Sequence, residues 1–541
     1  MNARLAPLSL VLITVICVGI TFIGAGCTRE AGGAKTKTAE LVVPIENDIQ
    51  TLDPAQLSDP FTSRIVWQIY EGLVGLDLSG NPIPLLAKSW SASSDHRVWT
   101  FVLRPNVFFH ESEAFGSGKR TRGVAAEDVR YSYVRFAKGF GSFVFSGLVE
   151  GLDDFLSGRS MNVSGFVASN EREFVVRLTR PDPAFIFRIT SPYLSIMARE
   201  VVESDPNAFG RTVAIGTGPF RLRNRTDTQV VLEPNPAYWR AVSGSLGRLN
   251  FRVDKNAQIR VAQFEKGVYG IMGLPAALHS RFLAHGKLLP QWTRRYQFYR
   301  AETFNVHYLG IDNRRVPDVH LRRAIAMAVD KQAIVRGLLG SLARTADELV
   351  PPGLQGFRAP SPLQFNPAQA RDELARSSYK GEKLSLLISD APNHEAVGQF
   401  LQSQLKSVGI QVELQRVDLN TLISRLFSAV RPDLFLAFSE WVFSAPELIL
   451  ESYRSTSFPN PNLTGYRNSK VDELIAKALS ATDRSEINRL CEQISKLAAS
   501  EAPVVPLYHL DGAFLIENRY SGFSINGHQY WDFTEVRAEG N

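Results

Sequence analysis

The pattern of hydrophobic positions changes between strand and helix periods along the chain. Apolar residues occupy every second position of WTFVLRP, at Trp99, Phe101 and Leu103, and a similar alternation runs through EFVVRLTRP. A period of two is typical of strands with one buried face. In the segment 318–335 the apolar residues recur every three or four positions behind Asp318. This second pattern predicts a helix with an aspartate cap.

A third segment predicts a helix that leads directly into a strand. In EAVGQFLQSQLKSVGIQVELQRV, apolar residues follow helical spacing up to Leu405, Gly409 interrupts them, and alternation begins at Ile410. A helix followed by a strand is the unit of an α/β layer. After residue 40 no internal repeat is evident and no polar linker separates independent domains. The sequence therefore predicts a mixed α/β protein with two or three closely joined lobes.

The N-terminal 26 residues predict an export signal. A short cationic start is followed by an apolar run that ends at Cys27. The small residues before Cys27 resemble the lipobox of bacterial lipoproteins, with Gly24 in a place that usually holds leucine. Acylation of Cys27 is the preferred interpretation; cleavage without lipid and an uncleaved membrane anchor remain open. Residues 27–40 are small and polar, which predicts a flexible tether.

Composition narrows the classes of function. The 541 residues are 44% hydrophobic and 21% charged, which is ordinary for a globular protein with more than one core. The formal charge of +6 is small for this length and no run of five basic residues occurs, so nucleic-acid binding is not predicted. Cys17 would leave with the signal and Cys27 would carry lipid, so Cys491 has no partner for an intramolecular disulfide.

The segment GSGKRT resembles half of a phosphate-binding loop. Alignment on Gly118 and Lys119 puts Glu113 where the first glycine of such a loop belongs and Arg120 where its hydroxyl belongs. The carboxylate would repel phosphate. The segment therefore predicts an exposed loop.

The sequence does not match other common enzyme motifs either. His110 and His394 are each followed by glutamate, but Ala114 and Gly398 occupy the position of the second zinc ligand. No Gly-x-Ser-x-Gly elbow and no Cys-x-x-Cys motif occurs. We predict a binding protein with no catalytic residue, no metal and no cofactor. An enzyme with dispersed catalytic residues remains an open alternative.

Several segments, in order along nearly the whole chain after the signal, resemble the family 5 extracellular solute-binding proteins, which are the peptide-binding lipoproteins of ABC importers. These segments are 51–77, 84–110, 125–135, 216–222, 233–239, 319–335, 365–374, 466–478 and 502–508.

The resemblance implies an α/β fold in the form of a two-lobed periplasmic-binding-protein clamp, type II-like, with an extra subdomain on the first lobe. The lobes would close over a ligand about a hinge, with chain crossings near 302–307 and 503–507. The implied boundaries are 1–26 for the signal peptide, 27–40 for the tether, 41–83, 205–301 and 505–541 for lobe I, 84–204 for its extra subdomain, and 302–504 for lobe II.

The resemblance also implies a ligand site in the segment 438–449. In peptide-binding members an aspartate after a tryptophan anchors the α-amino group of the ligand, and Ser444 stands at that place here. A buried ammonium without a carboxylate is costly. Glu440, Glu447 or Asp59 could supply the charge instead. Glu440 could equally be an exposed carboxylate at the end of a strand.

The remaining candidate site residues are aromatic or follow from the resemblance alone. Trp441 and Phe443 could stack on a ligand or fill the core beneath the cleft, and the resemblance favours ligand contact for Trp441. Leu57 and Ser58, with Asp59, lie where family members pair their backbone with an extended ligand.

The resemblance implies a function of substrate capture. An exported monomer, tethered to a membrane by its N-terminal lipid, would hold a peptide or peptide-like solute and deliver it to an ABC permease. Separate ATPase subunits would supply the energy. Two alternatives remain open: a sensory lipoprotein that uses the same clamp for signalling, and a clamp for a non-peptide solute such as a heme or nickel chelate.

Overall fold

The computed structural model describes residues 39–57, 60–118, 120–139, 141–275, 278–360, 363–391, 393–441 and 443–539. The predicted signal peptide, Cys27 and nearly all of the predicted tether lie outside these residues.

Twenty-five strands and sixteen α-helices lie within the described residues. The strands are β1 (Glu40–Ile45), β2 (Val74–Leu76), β3 (Pro82–Pro84), β4 (Ala87–Ala92), β5 (Val98–Leu103), β6 (Phe166–Asn170), β7 (Glu173–Arg177), β8 (Phe220–Thr226), β9 (Gln229–Pro234), β10 (Arg248–Val253), β11 (Ile271–Gly273), β12 (Leu283–Ala284), β13 (Lys287–Leu288), β14 (Tyr296–Ala301), β15 (Asn305–Ile311), β16 (Ala343–Thr345), β17 (Leu384–Ser389), β18 (Val412–Val417), β19 (Leu434–Glu440), β20 (Val504–Leu510), β21 (Gly512–Glu517), β22 (Tyr520–Ser521), β23 (Ser524–Ile525), β24 (Trp531–Asp532) and β25 (Arg537–Ala538). The helices are α1 (Pro60–Ile69), α2 (Ala126–Ala137), α3 (Ser142–Phe145), α4 (Leu152–Leu156), α5 (Phe185–Arg188), α6 (Arg199–Ser204), α7 (Ala257–Glu265), α8 (His279–Phe282), α9 (Val319–Met327), α10 (Lys331–Ala333), α11 (Pro367–Arg376), α12 (His394–Ser407), α13 (Leu419–Phe427), α14 (Pro446–Ile449), α15 (Ser469–Ser480) and α16 (Arg484–Glu501).

Strand pairing divides the molecule into two lobes. We call lobe I the part built on the sheets β1-β10-β9-β8 and β11-β21-β14, together with a subdomain that holds the sheet β4-β5-β7-β6. We call lobe II the part built on the six-stranded sheet β16-β20-β15-β19-β17-β18. The two-lobed α/β fold expected from the sequence is therefore confirmed.

The subdomain sheet follows from the alternating pattern of β5. Trp99, Phe101 and Leu103 are buried while the residues between them are partly exposed, as the period of two predicts. Helix α2 covers this sheet and places the ring of Tyr133 edge-on against Phe174 on β7. The subdomain thus has its own aromatic core.

Lobe II contains the predicted helix-to-strand unit. Helix α12 connects β17 to β18, and these two strands pair in parallel. Gly409 lies between helix and strand at a φ of 102°, a conformation that L side chains rarely adopt. The prediction for this segment is confirmed.

The predicted helix behind Asp318 is divided into two. The Asp318 carboxylate accepts from the backbone N–H groups of His320 and Leu321 and so caps α9, as predicted. Helix α9 ends at Met327, and Asp330 caps the short helix α10 that follows. The apolar pattern therefore spans two helices, α9 and α10, and Asp330 marks the start of the second.

Two passages of the chain connect the lobes. The first, residues 302–304, joins β14 of lobe I to β15 of lobe II and lies within the expected range 302–307. The second was expected near 503–507. Strand β20 instead keeps pairing with β16 of lobe II as far as Leu510, and Gly512 already pairs in lobe I, so the chain crosses at Asp511.

The glycine-rich segment near residue 118 is an exposed loop, as predicted. Gly116 and Gly118 have φ values of 97° and 85°, and Lys119 lies outside the described residues. Among the helices in the described part of the chain, none is both long and apolar enough to cross a bilayer.

Candidate functional site

The end of β19 lies at the boundary between the lobes. Glu440 is the last residue of this strand and pairs with Asn305, the first residue of β15, directly after the first crossing. Trp441, Phe443 and Ser444 follow before helix α14 begins. The six-stranded sheet therefore carries this group of sequence-predicted residues to the hinge.

The Glu440 carboxylate is solvent-accessible but surrounded by protein at longer range. Its Oε1 accepts a hydrogen bond of 3.0 Å from Nε2 of Gln529 in lobe I. The surrounding protein desolvates the carboxyl group, which raises its pKa, while the charge of Arg64 and the Gln529 hydrogen bond lower it.

Trp441 and Phe443 differ in exposure. The Trp441 ring is half-buried, and its Nε1 donates a hydrogen bond of 2.8 Å to the carbonyl oxygen of Leu349. Phe443 is buried in the main hydrophobic core. Trp441 is therefore partly exposed at the lobe boundary, whereas Phe443 fills the core.

Ser444 is fully buried beneath groups from lobe I. Its Oγ lies 2.6 Å from Nε2 of His528. A Cβ atom added to Gly80 would lie 2.9 Å from the same Oγ, and 3.2 Å from a ring carbon of Phe304. The sequence predicted that Ser444 contacts a ligand, but in this structure it forms a contact between the lobes.

Glu447 already has a cationic partner. It is buried, and its two carboxylate oxygens lie 3.0 and 3.2 Å from the guanidinium nitrogens of Arg484. Such a bidentate pair compensates the charge of both groups. The prediction that Glu447 could replace the missing ligand anchor is therefore wrong for this arrangement, because its charge is used within lobe II.

The N-terminal part of the predicted site is described only at Leu57. The Leu57 side chain is buried in the core at the end of the short 3₁₀ helix Pro54–Gln56. A buried side chain leaves the backbone as the group that could pair with a ligand. Ser58 and Asp59 lie outside the described residues.

Two further residues at this site were missed from the sequence. His528 and Gln529 lie in the turn between β23 and β24, and they contact Ser444 and Glu440. The Asn526-Gly527 pair is a recognisable turn signal. It predicts a turn but not what the turn contacts.

Two histidines of lobe II, His307 and His394, form a buried pair beside this region. Nε2 of His394 lies 3.4 Å from Nδ1 of His307, and the His307 ring stacks on Tyr508 at 4.4 Å between centroids. Within the described ranges, no three side chains of histidine, cysteine, aspartate or glutamate are grouped so that they could hold a metal ion.

The family model for bacterial extracellular solute-binding proteins, family 5 Middle, matches residues 81–457, well over half of the chain. The chain belongs to this family. It is therefore an exported solute-binding protein and not an enzyme.

Relatives in the family match over nearly the full length of the chain. The dipeptide-binding protein DppE of Bacillus subtilis is 26% identical over 544 residues, which cover 94% of this chain and 95% of the relative. The periplasmic murein peptide-binding protein MppA of Escherichia coli is 24% identical over 524 residues, with 92% of each chain covered.

Solved structures in the family have the same fold. The structure of Escherichia coli MppA superposes with a TM-score of 0.78 at 23% identity and covers 93% of this chain and 99% of its own. Helicobacter pylori DppA in complex with the peptide STSA superposes with a TM-score of 0.76 at 19% identity and covers 93% and 98%.

Proposed function

We propose that this family 5 protein captures a peptide or peptide-like solute between its lobes and delivers it to the permease of an ABC importer. Separate ATPase subunits supply the energy for transport. The observation that carries the proposal is the accessible carboxylate of Glu440 beside the half-buried ring of Trp441 at the lobe boundary. Relatives named for dipeptide and murein-peptide binding support the peptide assignment.

Glu440 is the proposed contact for a positively charged group of the solute. Its carboxylate is solvent-accessible at the lobe boundary, so a cation of the solute can form a charged hydrogen bond with it. A hydrogen bond between charged groups contributes about 1.5–3 kcal/mol. In this role Glu440 would replace the aspartate that peptide-binding members of the family carry at the position of Ser444.

Trp441 is the proposed packing surface for the solute, because its Nε1 is fixed by the hydrogen bond to the Leu349 carbonyl oxygen while the residue stays partly exposed. The backbone at Leu57, Ser58 and Asp59 is proposed to pair with an extended solute from lobe I. Phe443 lies in the hydrophobic core against which Trp441 packs.

Native mass spectrometry of the full-length protein, purified in mild detergent, tests this proposal. A series of short peptides released on denaturation would support it. A single non-peptide mass would keep solute capture and reject the peptide assignment.

Site variants test the residue roles. With tri-alanine as the probe, Glu440→Gln is expected to weaken binding about tenfold, the loss of one charged hydrogen bond. Glu413→Gln is the matched control, because Glu413 is an exposed residue of β18 in the same sheet. Equal affinity of the wild type and Glu440→Gln would remove Glu440 from the site.

The tether and the assembly are also proposals. We propose that Cys27 is acylated and holds a monomer at the membrane, and that the lobe boundaries are those expected from the sequence with the last one moved to Asp511. Cys27→Ser should release the protein from membranes. Unchanged retention of this variant would indicate an uncleaved anchor instead.

A further inference from the structure

The turn 526–530 is fixed to lobe I. Its hairpin packs the ring of Trp531 edge-on against Phe514 of β21, at 5.2 Å between centroids. On α1, Gln68 donates from Nε2 to the carbonyl oxygen of Trp531 at 2.8 Å. The backbone N–H of Phe304, in the first crossing, donates to the carbonyl oxygen of Gly527 at 2.7 Å. The turn is thus attached to both lobe I and the hinge.

The same turn contacts the end of β19 in lobe II. Nδ1 of His528 lies next to the carbonyl oxygen of Trp441. Nε2 of the same ring lies 2.6 Å from the hydroxyl of Ser444. The neighbouring Gln529 donates to Glu440 at 3.0 Å. All three lobe II partners belong to the segment 440–444, which also carries the proposed contacts with the solute.

The contacts of the imidazole define its hydrogen atoms. A carbonyl oxygen can only accept, so Nδ1 of His528 carries the proton that is donated to Trp441. In a neutral ring Nε2 then has a lone pair, and the Ser444 hydroxyl donates to it. Burial lowers the pKa of His528 to about 4, which keeps the ring neutral at physiological pH.

The turn can approach the hinge closely because residue 527 is a glycine. A Cβ atom on Gly527 would lie 2.6 Å from a ring carbon of Phe304, closer than such atoms can pack. The Phe304 ring also meets the His528 ring edge-on, at 4.9 Å between centroids. Gly527 therefore lets the turn reach the hinge, and Phe304 orients the imidazole.

We propose that His528 is a positioning residue for solute capture: from lobe I it holds segment 441–444 of lobe II in the conformation that accepts the solute. Because the two hydrogen bonds join opposite lobes, they couple the relative position of the lobes to the conformation of the site. The inference rests on the proposed function for the position of the solute, but the contact itself does not depend on it.

Variants of the full-length protein test this role. His528→Phe keeps a flat ring against Phe304 and removes both hydrogen bonds, whereas His528→Gln keeps a donor and an acceptor. Hydrogen–deuterium exchange of peptides spanning 436–449 should be faster in His528→Phe, by about tenfold, and close to wild type in His528→Gln. Binding of tri-alanine should weaken about tenfold in the first variant and recover in the second.

The matched control is His279→Phe, because His279 also bonds to a backbone carbonyl in lobe I, at 3.2 Å from Leu274, but lies on α8, whose Phe282 belongs to a different hydrophobic core. It should leave exchange at 436–449 unchanged. If His528→Phe does not fold, Ser444→Ala removes one hydroxyl from the same contact and should increase exchange in the same peptides.

Unchanged exchange in the folded His528→Phe or Ser444→Ala variant would overturn the inference. Weaker tri-alanine binding with unchanged exchange would overturn it as well, because a positioning role must alter the segment. If wild-type protein binds no tri-alanine, the peptide assignment fails, and the exchange data still decide the role of His528.

Discussion

Arg188 in the lobe I subdomain and Glu451 in lobe II form an ion pair of 3.2 Å across the lobe boundary. Arg188 also bonds to Asp182 at 2.9 Å, and the side chains of Arg188 and Asp182 are 6% and 0% exposed. Arg454 lies 3.6 Å from Glu451. The buried charges are therefore compensated within one group that contains residues of both lobes.

Glu451→Gln is expected to weaken lobe closure. Asp182 still compensates Arg188 in this variant, so the subdomain should stay folded, while a charged hydrogen bond worth about 1.5–3 kcal/mol is lost between the lobes. Tri-alanine should bind about tenfold more weakly, and small-angle scattering should show a larger radius of gyration. Glu486→Gln, which affects an exposed pair on α16, is the control. Equal scattering and affinity in Glu451→Gln would show that the pair does not contribute to closure.

A second prediction concerns the hinge. The fully buried carboxylate of Asp511, at the second crossing, lies 2.8 Å from Nε of Arg300 in lobe I and 3.2 Å from a guanidinium nitrogen of Arg344 in lobe II. Asp511→Asn should lower the free energy of unfolding by about 2 kcal/mol, less than for a fully buried pair because both arginines are partly exposed. Urea unfolding measures this change.

The control for the hinge prediction is Asp48→Asn. Asp48 forms an exposed pair with Lys255, and such pairs contribute only about 0–1 kcal/mol. A loss of stability no larger in Asp511→Asn than in Asp48→Asn would contradict the proposed importance of the hinge carboxylate.

Acid should destabilise the protein through its buried histidines. Burial lowers the pKa of His110 and His394 from 6.5 to about 4, so both are neutral in the folded protein when the unfolded chain already binds protons. The stability that depends on these neutral histidines is fully present above pH 6.5 and is lost as the pH falls toward 4. Below pH 4 the free energy of unfolding no longer changes through these two residues. The loss can reach about 3 kcal/mol for each residue.

Urea unfolding between pH 7.5 and 4 measures this dependence. Carboxylates also titrate near pH 4, so the informative quantity is the difference between wild type and His394→Gln. The variant should lose less stability over this range. Parallel curves for the two proteins would show that His394 does not titrate differently on unfolding.

The thiol of Cys491 should be unreactive in the native protein. It is fully buried on α16, and burial raises its pKa, which suppresses the reactive thiolate. Peptide mapping after alkylation should find Cys491 unmodified at pH 8 in buffer and modified in urea. Modification in buffer at the rate seen in urea would mean that α16 opens readily.

Local features of the fold were predictable from the sequence. The alternation of Trp99, Phe101 and Leu103, the cap at Asp318 and the glycine between α12 and β18 all act through neighbours along the chain. Hydrophobic period and capping are local physical effects, so a single sequence reveals them. The ordered segments that resemble family 5 proteins added the two-lobed architecture.

The site was predictable only in part. The resemblance placed Glu440 and Trp441 in a candidate ligand segment, and the structure puts that segment at the hinge. It did not indicate that Glu447 is neutralised by Arg484, because no local pattern pairs two residues 37 positions apart.

Thus the sequence by itself determined the alternation of β5, the aspartate cap of α9, the helix-to-strand unit of α12 and β18, and the resemblance to the family. Only the tertiary structure decided which groups meet at the lobe boundary: His528 with Ser444, 84 positions apart, and Arg188 with Glu451, 263 positions apart. The physical reason is that hydrogen bonds and ion pairs depend on distance in space. These residues come close together because the folded chain crosses twice between the lobes. The residues that form the contacts lie away from both crossings, so their own sequence does not reveal which partner they meet.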